Sequence, residues 1–128
     1  NVESWKAAFL DYDYIGAPWP LPKDDFSYRT GSGELVRIGN SVSIRSKRIL
    51  ELPSLLKLPW VPFHGYKHED GFLNVQYRDI LVAQGVKYAP LQLGEQFGRE
   101  YVNSPNFPFT FHKWHGNNKD FPNFYNVE

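Results

Sequence analysis

Residues 68–85 read HEDGFLNVQYRDILVAQG and carry the clearest helical pattern of the chain. Side chains suited to one buried helix face recur there at a spacing of three or four residues, at Phe72, Val75, Gln76, Ile80 and Ala83, with Leu73 and Leu81 adjoining that face. The pattern predicts a helix from Glu69 to Gln84, which Gly85 ends as a natural C′ residue. The other predicted elements are placed relative to this helix.

Two adjacent acids, Glu69 and Asp70, follow His68 at the predicted start of this helix. Carboxylates at a helix start are stabilised by its free N–H groups and by the positive end of its dipole. Acids there are also well placed to face a pocket, because the preceding loop can open toward a substrate. The local pattern therefore leaves two interpretations open, helix capping and a catalytic carboxylate.

The segment before residue 20 predicts the first strand. Tyr12 and Tyr14 alternate there with Asp11 and Asp13, which favours a strand over residues 11–16. An Asp-x-Asp triplet can hold a divalent cation that bridges a nucleotide diphosphate. Alternate residues of one strand also share a face, and that face can simply be the solvated one.

The remaining elements complete an α/β order of helices and strands. A short helix is expected over residues 4–10, and residues 35–44 predict either a strand with a bend or bulge at Gly39 or two short strands. Ser46 is placed to cap a helix over residues 47–58, in which Pro53 predicts a kink. Residues 86–89 and 107–114 predict short strands, residues 91–101 suit either a helix or a strand, and the tail from about residue 117 predicts irregular structure.

Composition limits the class of protein. The chain has 128 residues, enough for one domain with a modest core, so we assign residues 1–128 to a single domain. Its 14 basic and 14 acidic side chains give a formal net charge of zero, which argues against nucleic acid as a main partner. No stretch is long and apolar enough to span a bilayer, and the absence of cysteine excludes thiolate metal sites. None of these features fixes the localisation.

Aromatic residues make up 17% of the chain, and many of them lie in loops rich in proline and glycine. Such side chains suit flat ligands such as sugars, although core packing is their commoner use. Trp19, between Pro18 and Pro20, suits a platform for a sugar or a base as well as simple packing.

Five motifs, in order along the chain, resemble one family. They are DYDYIGAPW at residues 11–19, VRIGNSVSIRS at 36–46, EDGF at 69–72, VKYAP at 86–90 and PFTFHKW at 108–114. Together they resemble the glycosyltransferase-like domains known as domain of unknown function 5672, over about residues 9–114. One departure is that Ser41 and Val42 follow Asn40, where glycines are usual in the family.

The resemblance implies a nucleotide-sugar glycosyltransferase of the A-type fold, a mixed-sheet α/β domain. In that family the nucleotide-binding half and its acidic metal motif lie upstream of the segment that matches residues 11–19. The chain therefore resembles the C-terminal, acceptor-side half of such an enzyme, and Asp11 and Asp13 are not taken as the missing metal motif. The expected partners are a nucleotide-sugar donor, a glycan or other hydroxyl acceptor, and an upstream segment of the same protein.

The resemblance also indicates site residues. Glu69 and Asp70 match the family's acidic pair, and in related inverting transferases one such acid takes the proton of the acceptor hydroxyl. We assign Asp70 as the base and Glu69 as a residue that binds the acceptor hydroxyl. His112 or His115 is expected to complete a site for Mn²⁺ or Mg²⁺, although a packed ring is the commoner role of a histidine in an aromatic run. Contacts to substrate are expected at Trp19, Asn40, Ser41, His68 and Trp114.

Two further hypotheses stay open at the level of sequence. The first is a non-catalytic carbohydrate-binding or interaction module on the same fold, which the aromatic loops favour. The second is a structural fragment whose apolar faces need a partner segment.

Overall fold

The computed structural model describes residues 2–19, 28–65, 68–100 and 108–112. Its strands are β1 (Tyr14–Pro18), β2 (Ile38–Arg45), β3 (Gly98–Glu100) and β4 (Thr110–His112). Its α-helices are α1 (Lys47–Leu55), α2 (Glu69–Gly71), α3 (Arg78–Ala83) and α4 (Leu91–Phe97). Two 3₁₀ turns, Val2–Ser4 and Ala7–Asp11, precede β1, and a π-helical turn, Phe72–Gln76, joins α2 to α3. The predicted mixed α/β class is confirmed, and no helix in these ranges is long and apolar enough to cross a membrane.

Strand β1 lies at the centre of the molecule. Its side chains at Tyr14, Ile15 and Ala17 are fully buried, which is typical of a strand covered on both faces. It pairs antiparallel with β2, and on its other side Tyr14 forms a parallel bridge with Tyr88. The predicted strand over residues 11–16 is confirmed in position, but it begins at Tyr14 because residues 7–11 form a 3₁₀ turn.

The bend predicted at Gly39 is confirmed by the register of β1 and β2. Gly16 lies opposite Ser43 and Pro18 lies opposite Ile38, so two steps along β1 match five steps along β2. The extra residues of β2 form a bulge around residues 39–42, which bends the strand.

Two apolar clusters pack on the two sides of β1. One contains Tyr14 with side chains from β2, α1 and the helical run of residues 69–83, namely Ile38, Ile49, Phe72, Leu73, Leu81 and, just after that run, Val86. The other contains Ile15 with Phe9, Ala89 and Phe97. Neighbouring strand residues point to opposite faces, so adjacent residues of β1 supply both clusters.

The helix predicted from Glu69 to Gln84 is present, but its buried face changes along its length. Residues 72–75 and Leu81 are buried, whereas Ile80 is 44% exposed and Ala83 is exposed. The π-helical turn adds one residue to a turn, which shifts the buried position from Ile80 to Leu81. The prediction of Ile80 and Ala83 on the buried face is therefore wrong.

The predicted capping residues are confirmed at the start of α1 and at the end of α3. Ser46 caps α1, since its side-chain oxygen accepts a hydrogen bond from Ile49 N–H at 3.2 Å. After α3, Gly85 N–H donates to Val82 O at 2.8 Å and Val86 N–H donates to Leu81 O at 3.0 Å. These two bonds form a Schellman motif, in which Gly85 adopts a positive φ of 90°.

The shorter predicted elements differ in type or length. The helix expected over residues 4–10 is two 3₁₀ turns, and α1 ends at Leu55, three residues before the expected end. Residues 91–101 contain both predicted alternatives, α4 followed by β3, and β3 pairs in parallel with β4. The strand over residues 86–89 is reduced to the bridge at Tyr88, and the tail from residue 117 lies outside the described residues.

Candidate functional site

The acid pair begins the helical run, as predicted. Glu69 and Asp70 are the first two residues of α2, and His68 precedes them in an extended conformation. The side chain of His68 makes no capping hydrogen bond, whereas its carbonyl oxygen accepts from Phe72 N–H at 2.9 Å. Asp70 Oδ1 accepts from Gly71 N–H at 2.9 Å, so this carboxylate binds one of the free N–H groups of the first turn.

The two carboxylates have different surroundings. Glu69 Oε1 lies 3.6 Å from Arg45 Nη2, and Arg45 Nε donates to Ser43 Oγ at 2.9 Å. Glu69 is thus tied to the end of β2. Asp70 is half-buried and forms no ion pair within the part of the chain that the structure describes. Of the two acids, Asp70 has the carboxylate that no cation from residues 2–19, 28–65, 68–100 or 108–112 pairs with.

A buried amide lies beneath the acid pair. Asn74 is 0% exposed, and its Nδ2 donates to the carbonyl oxygen of Asp70 at 2.8 Å. The same nitrogen lies 3.5 Å from the carbonyl oxygen of Gly39, in the bend of β2. Sequence reasoning missed Asn74, although a polar residue between Leu73 and Val75 is the signal that would have identified it.

The Tyr14 hydroxyl group, on β1, lies near Asp70 and Asn74. Burial raises the pKa of Tyr14, and the nearby Asp70 carboxylate acts in the same direction. Ser43, Arg45 and Asn74 oppose this shift but do not cancel it. The hydroxyl therefore stays protonated at neutral pH.

Trp19 lies at the same bend of β2. Its indole ring covers Gly39 so closely that a Cβ atom there would overlap the ring, and it packs edge-on against Tyr28 at 5.2 Å. Its main chain pairs with Arg37, with Trp19 N–H donating to Arg37 O at 2.6 Å. Gly39 contacts both Trp19 and Asn74, so the structure brings Trp19, the bend and the acid pair into one region.

Asp13 has a structural role, whereas Asp11 is exposed, as the solvated face predicts, and both residues precede β1. Asp13 Oδ1 accepts from Ser46 Oγ–H at 2.7 Å, and its Oδ2 accepts from Lys87 N–H at 2.7 Å. Partial burial would raise the pKa of Asp13, but these two hydrogen bonds and the charge of Arg48 outweigh it and hold the pKa below 3.8. Asp11 lies in the 3₁₀ turn before it.

The predicted metal ligands, His112 and His115, are not tested by the structure. No group of three or more His, Asp or Glu side chains lies close enough to hold a metal ion within those ranges. The backbone of His112 ends β4 opposite Glu100, but its side chain lies outside the description, as do those of Asn40 and Ser41. His115 and Trp114 fall outside the described residues altogether. The site for Mn²⁺ or Mg²⁺ stays a prediction.

Sequence reasoning also missed a buried cation beside the central strand. The Arg78 guanidinium lies 3.9 Å from the centroid of the Tyr88 ring, and its side chain is 11% exposed. Arg78 Nη2 lies 3.6 Å from Glu34 Oε1. The carboxylate of the neighbouring Asp79 accepts two hydrogen bonds from Ser32, one from its main-chain N–H and one from its hydroxyl group, each at 2.9 Å. These contacts dock residues 28–35 on the start of α3.

Comparison of the chain with protein-family models, with curated proteins and with solved structures found no match. The resemblance to a glycosyltransferase-like family therefore stays a prediction.

Proposed function

We propose that this chain is the acceptor-side half of a nucleotide-sugar glycosyltransferase, in which Asp70 is the general base. The observation that supports this most directly is the difference between the two acids. Glu69 is paired with Arg45 at 3.6 Å, whereas the half-buried carboxylate of Asp70 accepts a hydrogen bond from Gly71 N–H and pairs with no cation among the residues that the structure describes. A general base must be ionised and within hydrogen-bond reach of the proton that it takes.

In the proposed reaction, the Asp70 carboxylate takes the proton of the acceptor hydroxyl group. The acceptor oxygen forms a bond to the anomeric carbon of the donor while the bond from that carbon to the diphosphate oxygen breaks. A nucleoside diphosphate leaves, and Asp70 returns its proton to solvent. In this proposal the donor diphosphate is bound mainly by the nucleotide-binding half of the enzyme rather than by the acid pair.

The neighbouring residues have distinct roles in this proposal. Glu69 binds a second hydroxyl group of the acceptor, and its pairing with Arg45 fixes the position of its carboxylate. Trp19 borders the same region through its contact with Gly39 and contributes an apolar wall for a sugar ring. His68 is exposed and directly precedes Glu69, so it lies at the edge of the proposed acceptor site.

The test measures release of nucleoside diphosphate from UDP- and GDP-sugars by the intact protein, with Mn²⁺ or Mg²⁺ and hydroxyl acceptors. Asp70→Asn is expected to lower kcat by about 10²–10⁴-fold with the fold intact, because loss of a general base typically costs that much. Glu69→Gln is expected mainly to raise the acceptor KM, by roughly fivefold for a hydrogen bond worth about 1 kcal/mol.

Asp11→Asn is the matched control, since it neutralises an exposed acid on the second 3₁₀ turn and should leave kcat unchanged. Undiminished activity in both Asp70→Asn and Glu69→Gln would overturn the assignment of the base.

A carbohydrate-binding module without catalysis is the second candidate, and the exposure of Trp60 favours it. This ring is 44% exposed and lies 4.8 Å from Phe72, two residues after Asp70. An exposed indole ring suits stacking against a sugar ring. Calorimetry separates the candidates: binding of glycans without any dependence on nucleotide sugar or metal favours the module.

A further inference from the structure

Asn74 occupies a position where a polar side chain is costly. It is 0% exposed, and so is buried even more deeply than Thr30, which is 5% exposed. Its neighbours in the chain, Leu73 and Val75, belong to the buried core. Transfer of an amide group from water to such surroundings is unfavourable unless hydrogen bonds replace those made with water.

The hydrogen bonds of Asn74 are made by one end of the amide group only. Its Nδ2 donates to Asp70 O at 2.8 Å and lies 3.5 Å from Gly39 O. Its Oδ1 is buried and has no hydrogen-bond partner within the described ranges. An apolar side chain of the same size would avoid that unpaired oxygen but would remove the donor to Asp70 O and Gly39 O, so what the asparagine adds here is the hold of its NH₂ group on these two carbonyl oxygens.

The π-helical turn is what brings the amide group to this place. It buries four consecutive residues, Phe72 to Val75, where a regular α-helix would bury fewer of them. Such turns are rare and frequently occur at functional sites. Here the turn directs Asn74 back toward the start of α2, between Asp70 and the bend of β2.

We propose that Asn74 is a positioning residue, whose NH₂ group fixes the main chain of Asp70 against the bend of β2 at Gly39. This inference rests on the proposed function, in which Asp70 takes the acceptor proton. Asp70 is then held at two points, its carbonyl oxygen by Asn74 and its carboxylate by Gly71 N–H. With both points fixed, the carboxylate keeps one orientation relative to β2.

The hydrogen bond from Gly71 N–H to Asp70 Oδ1 gives a direct readout that does not need activity. Amide hydrogen exchange, followed by NMR on the intact protein, should become at least about tenfold faster at Gly71 in Asn74→Leu, because the main chain of Asp70 is released. Asn74→Asp is the second variant, since it keeps the shape but places an oxygen against Asp70 O and Gly39 O. Thr30→Val is the matched control, because it also removes a buried polar group, far along the chain from Asp70.

Kinetics supplies the readout that a purely structural role would not change. We expect kcat to fall about 10–100-fold in Asn74→Leu and Asn74→Asp while the KM of the nucleotide-sugar donor stays constant, because a small displacement of a catalytic group has that effect. Gly71 exchange and kcat that match those of Thr30→Val would overturn the proposal. Faster exchange at Gly71 in Asn74→Leu, together with a wild-type protein that shows no transferase activity, would support the placement of Asp70 by Asn74 and overturn only the proposed function.

Discussion

Asp13 shows how one side chain joins three segments. Its two carboxylate oxygens accept from Ser46 and from Lys87, and its own carbonyl oxygen accepts from Ser46 N–H at 2.8 Å. Ser46 in turn caps α1 through Ile49 N–H. The end of β2, the start of α1 and the segment beside β1 therefore meet at one carboxylate.

The first stability prediction concerns this carboxylate. Asp13→Asn is expected to lower the free energy of unfolding at pH 7 by about 1.5–3 kcal/mol, the range for hydrogen bonds to a charged group. An asparagine amide offers one acceptor oxygen, so it cannot accept from both Ser46 and Lys87 in the same way. Urea unfolding at pH 7 measures the loss, and Asp11→Asn, on the exposed 3₁₀ turn, should change it by less than about 0.5 kcal/mol.

The same pair of variants has a defined pH dependence. Because the folded-state pKa of Asp13 lies below 3.8, its stabilisation is fully present above that pH and is lost as the pH falls through the lowered value. The difference between wild type and Asp13→Asn should therefore stay constant near neutrality and shrink below pH 3.8. A difference that persists unchanged in acid would contradict the assigned charge.

At the residue scale, the sequence predicted residue types better than their partners. The acids at the helix start and the Ser46 cap were predictable, because each depends on residues within one turn. The roles of Asp13 and Asn74 were not, since they depend on Lys87 and Gly39, which lie 74 and 35 residues away along the chain. Local spacing carries no information about such contacts.

At the element scale, the π-helical turn explains why the buried face of the helix differs from the face that the sequence pattern predicted. A uniform period of 3.6 residues placed Ile80 on the buried face, and the extra residue in the turn places Leu81 there instead. Both residues are apolar, so the sequence pattern fits either register. The choice between them is made by packing against β2 and by Asn74, which a one-dimensional pattern does not contain.

The second stability prediction concerns the end of this helical run. Gly85 has a φ of 90°, and a Cβ atom there would also meet the Arg48 guanidinium. Gly85→Ala is therefore expected to lower the free energy of unfolding by about 1–2 kcal/mol.

Gly71 is the control for Gly85, because an alanine there is expected to have the opposite effect on stability. It has a helical φ of −65°, and a Cβ atom there would meet no other atom within 4 Å. Gly71→Ala should raise the free energy of unfolding by about 0.4–1 kcal/mol. Chemical unfolding of both variants measures the contrast, and two changes of the same sign would contradict the assigned backbone conformations.

At the scale of the whole molecule, β1 divides the core, and the segments around it are held by contacts that span the chain. Phe9 packs edge-on against Phe97 at 5.4 Å, and so links the N-terminal 3₁₀ turn to α4. On the other side, Tyr88 O–H donates to Leu73 O at 2.5 Å, and so links the segment beside β1 to the π-helical turn. The central position of β1 could be expected from its apolar residues, but its burial on both faces depends on these distant segments.

Arg78 extends that linkage to residues 28–35, and it carries the last prediction. Its guanidinium stacks at 3.9 Å over Tyr88 with little exposure, whereas its ion-pair partner Glu34 is 56% exposed. An exposed carboxylate contributes little to an ion pair, so Glu34→Gln should cost less than about 1 kcal/mol. Arg78→Lys should cost about 2 kcal/mol, because a lysine keeps the charge but loses the planar group that stacks on the ring. Thermal unfolding of the two variants under the same conditions compares the costs, and an equal or larger loss for Glu34→Gln would show that the ion pair, rather than the stacked guanidinium, holds residues 28–35 against α3.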